Sequence, residues 1–364
     1  MIHRRDILRA SLALPAAVAL PRLGCAEDSF APVPSAWRRF EVVTRLDLAG
    51  SGAQAWIPLP SFAADVWHRP SKSRWTTNAE TAVVERDAKS GAQILHVVFA
   101  KDEAAPAVEI VSRIATRDRA VDLSKKNASA RLGAAERKLY TSGTALIPVD
   151  GIVKETSDKI VAGASSDIEK ARAIYEWIVV NAYRNPATRG CGSGDIVAML
   201  KSGDLGGKCA DLNALFVGLA RAAGVPARDI YGLRVAPSKF GYKSLGPSTE
   251  IVTKAQHCRA EAHLAGLGWV PVDPADVRKV VLEEPPGKIA LDDAKAVAVR
   301  EKLFGAWEGN WLAYNSAHDV ALKGSAGGSV GFLMYPQAEI AGARLDCLDF
   351  ENFRYTIKAK ELSV

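Results

Sequence analysis

Gly206-Gly207-Lys208-Cys209-Ala210-Asp211-Leu212-Asn213-Ala214-Leu215-Phe216-Val217-Gly218-Leu219-Ala220-Arg221-Ala222-Ala223-Gly224-Val225-Pro226 decides how this chain is read. Two glycines turn the backbone and deliver a cysteine to the first turn of a helix. Leu212, Leu215, Phe216, Leu219 and Ala223 recur at helical spacing, which predicts one apolar, buried face. Gly224 ahead of Val225-Pro226 is a stop signal, because glycine takes the left-handed cap conformation without a Cβ clash. A thiol at a helix N-terminus meets unpaired N–H groups and the positive end of the peptide dipoles. Both favour the thiolate, the nucleophilic form. Gly207 leaves room beside the sulfur for a substrate backbone. On the helix alone, a small buried apolar cysteine explains the pattern equally well.

The balance moves with Gln256-His257-Cys258-Arg259-Ala260-Glu261-Ala262-His263 and Gly266-Leu267-Gly268-Trp269-Val270-Pro271-Val272-Asp273-Pro274. These segments predict two strands joined by a glycine-containing turn. Such a hairpin holds a histidine on one strand beside an aspartate at the end of the next. A cysteine on a helix with that pair supplies a nucleophile, a base and an orienting group.

Together the Gly-x-Cys helix, the His-Cys-x-x-Glu strand and the Gly-x-Gly-Trp-Val-Pro-Val-Asp-Pro strand resemble the transglutaminase-like superfamily over about residues 166–277. The resemblance implies an α+β, papain-like core, a helix-borne cysteine packed on an antiparallel sheet. It implies Cys209 as nucleophile, His257 as base and Asp273 as its orienter. It implies a thioester acyl-enzyme that passes to water or to an amine, with a peptide, protein or cell-wall amide as substrate. Arg259 stands where the family usually has a tryptophan, which leaves the substrate preference open. In the family an aromatic upstream of the nucleophile assists the oxyanion, and Tyr183 is the candidate by position. The Cys209 N–H is the safer donor. The alternative is a non-catalytic protein that holds peptides or glycans in the same cleft; three site residues in the right order argue against it.

The chain opens with Arg4-Arg5, an apolar run from Ala10 to Leu20 and the small residues Gly24-Cys25-Ala26. This resembles a twin-arginine export signal cleaved after Ala26, so the expected location is periplasmic or secreted. A lipid anchor at Cys25 is the alternative, and Arg22 fits that pattern poorly. The run is too short for a permanent membrane span. Cleavage removes Arg4, Arg5, Arg9 and Arg22 with Asp6, which lowers the formal charge from +6 to +3. No basic stripe or RNA-binding signature accompanies so mild a charge, so a nucleic-acid partner is not expected.

Alternating segments at Phe40–Leu46, Gln54–Pro58, Thr81–Arg86, Gln93–Phe99 and Val108–Thr116 predict a small antiparallel β-domain, sandwich-like, over 35–120. A polar connector over 121–148 carries one short helix near Ala134–Tyr140, and 149–364 is the expected transglutaminase-like domain. Ser166 with Glu169 has capping-box spacing. Gly331–Tyr335 and Phe353–Glu361 read as strands that close this second domain.

Arg189-Gly190-Cys191-Gly192-Ser193-Gly194-Asp195 is a loop suited to lie across the cleft or simply to bend at the surface. Four cysteines follow the signal: Cys191, Cys209, Cys258 and Cys347. With Cys209 free, one disulfide among the other three can form in an oxidising compartment. Zinc on Cys191, Cys209, His257 and Cys258 lacks the paired C-x-x-C spacing. No nucleotide loop, calcium loop or other cofactor motif appears, so neither a cofactor nor a metal is expected.

Overall fold

A computed structural model describes residues 30–125 and 130–363. The twin-arginine segment and Cys25 lie outside the described residues. The five N-terminal strands form where the alternation puts them: Arg38–Asp47, Ala53–Pro58, Thr81–Arg86, Gln93–Val98 and Ala107–Thr116. They belong to two antiparallel sheets. Phe40, Val42 and Leu46 from one sheet share an apolar core with Ala55, Ile57, Leu95 and Val97 from the other. Two sheets must bury their apolar faces against each other, which gives the sandwich.

The C-terminal reading needs correction. The predicted strand at Phe353–Glu361 exists as Arg354–Leu362, but it pairs with Arg38–Asp47 along its whole length. Gln337–Ile340 likewise pairs with Ala53–Pro58. The end of the chain thus returns to the N-terminal sandwich. Period-two alternation identifies a strand; it does not name the edge that will accept it. Tyr355, Ile357 and Ala359 fill the sandwich core there.

A separate four-stranded antiparallel sheet has the order Gly268–Val272, Gln256–Leu264, Ala227–Arg234, Trp311–Asn315. The helix Cys209–Ala222 packs on it. This helix is buried on every side from Cys209 to Arg221, not on one face as its periodicity suggests. The helices Gly151–Ile160 and Asp167–Asn181 cover the rest of it. An all-round buried helix carries few polar groups, and those it has need partners. Asp211, Asn213 and Arg221 each have them. Ser166 and Glu169 form the expected capping box at the start of Asp167–Asn181.

Trp67 from the sandwich region stacks against Trp311 and meets Trp307 edge-on, with ring centroids 5.9 and 5.3 Å apart. All three tryptophans are buried, so the Phe304–Trp311 stretch packs inward. Each fully buried aromatic contributes roughly 1.5–3 kcal/mol relative to exposure. No helix among the described residues is long and apolar enough to cross a membrane.

Candidate active site

Lys208 is the N-cap of the cysteine helix and Cys209 its first residue. Asp211, two positions on, reaches back so that the Lys208 N–H donates to its Oδ2 at 3.0 Å. Its Oδ1 accepts the Gly194 N–H at 2.9 Å. One carboxylate therefore ties the turn that delivers Cys209 to the loop that carries Cys191. The fit is close enough that a Cβ on Gly192 or Gly207 would overlap the Asp211 side chain, so the room expected at Gly207 for a substrate backbone is taken by that carboxylate instead. The Ala210 N–H donates to the Cys191 carbonyl at 2.8 Å and closes the joint.

His257 lies near the start of the strand Gln256–Leu264. Asp273 follows the strand Gly268–Val272 and is the N-cap of the helix Pro274–Glu283. The His257 Nε2 donates to Asp273 Oδ2 at 2.8 Å. Asp273 Oδ1 accepts the Asp276 N–H at 3.1 Å and the Asn213 Nδ2 amide at 3.3 Å. Asn213 comes from the cysteine helix, one turn after Cys209, and also donates to the Cys258 carbonyl at 2.8 Å. Trp311 Nε1 holds the His257 carbonyl at 2.9 Å.

The electrostatics follow from these contacts. The Cys191 and Cys258 thiols donate toward the Cys209 sulfur and hold its pKa well below the ordinary thiol value. Burial opposes them and the adjacent His257 imidazole assists. Cys191 moves the other way, chiefly through that hydrogen bond to Cys209 and then through burial. Burial is the first cause for Cys258. Burial and the Arg234 guanidinium push His257 down, yet Asp276 and Asp273 outweigh them and its pKa ends above the usual 6.5. Asp276 lies 3.5 Å from His257 Nε2. Burial alone would raise its pKa, but Arg234, bonded to both its oxygens at 2.5 and 2.6 Å, holds it well below the usual carboxylate range. Asp273 sits above that range through burial and the nearby Asp276 charge.

Cys209, His257 and Asp273 are thus brought together. Cys191 and Cys258 join them as neighbouring thiols, and Cys191 Sγ lies 3.3 Å from the Gln256 carbonyl, an alternative acceptor for its one proton. All four described cysteines are free. Tyr183 is not part of the group. Its hydroxyl donates to Asp204 at 2.8 Å, and its ring lies so close to Gly206 that a Cβ there would overlap it. Arg259 shares the face of His257, as strand alternation requires, but it points into the protein. It is 2 % exposed, stacks on Trp307 and Trp311, donates to the Glu308 carbonyl at 2.8 Å, and stands 3.7 Å from Asp273 Oδ2.

His257, Asp273 and Asp276 offer ligand atoms within 4.8 Å of one another. Arg234 holds both oxygens of Asp276, and the Arg259 cation lies beside Asp273. Two buried guanidiniums already balance the carboxylates, which opposes a divalent ion there. Beside Cys209, a groove of about 370 Å³ is lined by Arg189, Gly190, Cys191, Lys208, Lys254, Gln256, Tyr335, Leu348 and Phe350.

Sequence reasoning missed Asp211, Asn213, Arg234 and Asp276. Asp211 had a signal, an acid at the third helical position after Lys208. Asn213 had one too, as the polar residue one turn after Cys209 inside an apolar run. Arg234 had none.

The fold is that of a transglutaminase-like protein. The chain belongs to the transglutaminase-like superfamily, whose core domain matches residues 154–274 and so spans Cys209, His257 and Asp273. It is 36 % identical over 321 residues to an uncharacterized protein of Haemophilus influenzae, which covers 84 % of this chain and 86 % of that one. The crystal structure of "a Putative Cysteine Protease" from Cytophaga hutchinsonii superimposes with a TM-score of 0.50 at 13 % identity, over 90 % of this chain and 99 % of that one. The periplasmic domain of TgpA from Pseudomonas aeruginosa gives a TM-score of 0.34 at 15 % identity, over 68 % and 90 % of the two chains.

Proposed function

We propose that the protein is an exported cysteine enzyme that opens amide bonds through a thioester. The observation that carries this reading is the alignment of His257 on Asp273 at 2.8 Å, next to a thiol that heads a buried helix. With Nε2 committed to Asp273, the Nδ1 of His257 is left to take the Cys209 proton. The thiolate attacks the amide carbonyl, and the carbonyl π pair moves onto oxygen. The Cys209 N–H, at the positive end of the helix, meets that oxyanion. His257 then protonates the leaving amine or ammonia as the C–N bond breaks, and the thioester remains. Water, deprotonated by His257, attacks the thioester; the acid product leaves and the thiol regains its proton. A primary amine in place of water would give a crosslink through the same residues. Hydrolysis of a peptide or cell-wall amide is the favoured outcome, since water outcompetes amines unless the cleft excludes it. The Arg4-Arg5 signal supports an extracytoplasmic setting.

The test is mass spectrometry of periplasmic peptides and wall fragments incubated with the protein, wild type against Cys209→Ala. Exchange of an amide NH2 for OH marks deamidation, a fragment pair marks cleavage, and joining with loss of ammonia marks transfer. Products that persist undiminished with Cys209→Ala would overturn the assignment. His257→Ala is expected to come close to the loss seen with Cys209→Ala.

A further inference from the structure

The groove beside Cys209 is assembled from stretches that each run into a site residue. Arg189 leads to Cys191, Lys208 precedes Cys209, and Lys254 stands three residues before His257. All three cations line the groove. Tyr335, Leu348 and Phe350 form an apolar wall, supplied by the part of the chain that returns to the sandwich. No acidic side chain lines this groove among the described residues.

The three cations are not equivalent. Lys208 Nζ donates to the Thr188 carbonyl at 2.7 Å, so it is held in place. Arg189 is paired with Asp346 at 2.7 Å, which cancels much of its charge. Lys254 is exposed and rests its ammonium 4.8 Å from the centre of the Phe350 ring. A ring face positions an ammonium without neutralising it.

We propose that this groove selects amide substrates bearing a carboxylate close to the reacting carbonyl. Lys254 is the residue that determines the selection, and the Tyr335–Leu348–Phe350 wall receives an apolar group beside the carboxylate. The inference rests on Cys209 being the nucleophile. A groove with one sign of charge and low-dielectric walls concentrates the opposite charge at its floor. Cys191 and Gln256, which line the groove, are the spatial neighbour of Cys209 and the chain neighbour of His257. Arg259, two residues after His257, does not take this role, because it is buried beside Asp273 and does not line the groove.

Two alkylating probes of similar size test the idea without a known substrate: iodoacetate, which is anionic, and iodoacetamide, which is neutral. The measured quantity is the ratio of their rate constants at Cys209, read by peptide mapping. The His257 imidazolium acts on the ratio equally in every protein compared. Lys254→Glu is expected to lower the iodoacetate-to-iodoacetamide ratio roughly threefold to tenfold, and Lys254→Gln to lower it less. Lys159→Glu, the same charge change on an exposed helix end, is expected to leave it unchanged. The wild-type ratio should fall as salt is added. A ratio identical in wild type, Lys254→Glu and Lys159→Glu, with Cys209 labelled throughout, would overturn the groove proposal alone. Failure of both reagents to label Cys209 in wild type would overturn the nucleophile with it.

Discussion

His257 gives its Nε2 proton to Asp273 at 2.8 Å, and Asp273 is at the same time the N-cap of the following helix. Orientation of the imidazole and integrity of that helix therefore share one carboxylate. Asp273→Asn keeps a good capping side chain, so thermal stability should change little. Turnover should drop by orders of magnitude, because an amide cannot hold the imidazole tautomer and stabilise its cation. Asp273→Ala should lose the cap as well, about 1 kcal/mol, and leave the buried Asn213 amide short of an acceptor, about 1–3 kcal/mol more. Thermal melts beside kinetics separate the two substitutions.

The depressed Cys209 pKa and the raised His257 pKa predict a thiolate–imidazolium pair below neutral pH. The depressed thiol contributes stability above its unfolded pKa and loses it as pH falls through the folded value. The raised imidazole contributes stability below its unfolded pKa and loses it as pH rises through the folded value. Iodoacetamide at about pH 6 should therefore label Cys209 first, since an ordinary thiol titrates near ~8.5. Cys191, Cys258 and Cys347 are all pushed up and should lag. His257→Ala should slow the Cys209 reaction. Peptide mapping that ranked Cys209 slowest would contradict the arrangement.

Arg259 lies beside Asp273, so its substitution is expected to act through that carboxylate and not through substrate choice. Arg259→Met removes a cation that lowers the Asp273 pKa, and the acid limb of the pH–rate profile should move upward. The iodoacetate-to-iodoacetamide ratio should stay at the wild-type value. Loss of one partner from a buried charge group typically costs ~3–5 kcal/mol, so the melt should fall too. An unshifted acid limb with a changed probe ratio would place the guanidinium in the groove instead.

Gly192 and Gly203 both have positive φ, at 100° and 71°. Around Gly203 a Cβ meets nothing within 4 Å, whereas at Gly192 it would overlap the Asp211 carboxylate. Gly203→Ala should cost only the left-handed backbone penalty, about 1–2 kcal/mol, with activity kept. Gly192→Ala must displace Asp211, which fixes the Lys208 and Gly194 N–H groups. Cys209 labelling should slow and protease nicking over 188–194 should rise. Equal behaviour of the two variants would show that Asp211 does not set the site.

Asp229 is buried in the strand Ala227–Arg234, and neither carboxylate oxygen has a hydrogen-bond partner among the described residues. Burial raises its pKa from 3.8 to about 7, with Arg221 acting the other way. His318 Nε2 lies 3.6 Å away and stays neutral, its pKa lowered to about 3 by burial and then by Arg221. The folded protein keeps a proton on Asp229 that the unfolded chain sheds from about pH 4 upward. Against the rise in stability that the depressed His318 contributes up to about pH 6.5, Asp229 contributes a fall as pH climbs to about 7, which then levels off. Asp229→Asn should flatten that slope and raise the melting temperature relative to wild type at about pH 8 but not at about pH 5. Parallel melting curves across this range would contradict it.

The sequence alone determined the cysteine helix, the histidine hairpin, the order of the three site residues and the five strands of the sandwich. Each of these is local: a period of helix or strand, a glycine stop, a proline after an aspartate. The tertiary structure alone decided the partners. Arg354–Leu362 reads as a strand anywhere, but only the folded protein exposes the edge of Arg38–Asp47 that receives it. Alternation put Arg259 beside His257, and the packing of Trp307 and Trp311 turned it inward. Arg234 meets Asp276 across 42 residues of chain, and Asn213 meets Asp273 across 60. Contacts at such separations follow from where whole elements dock, which side-chain periodicity does not encode.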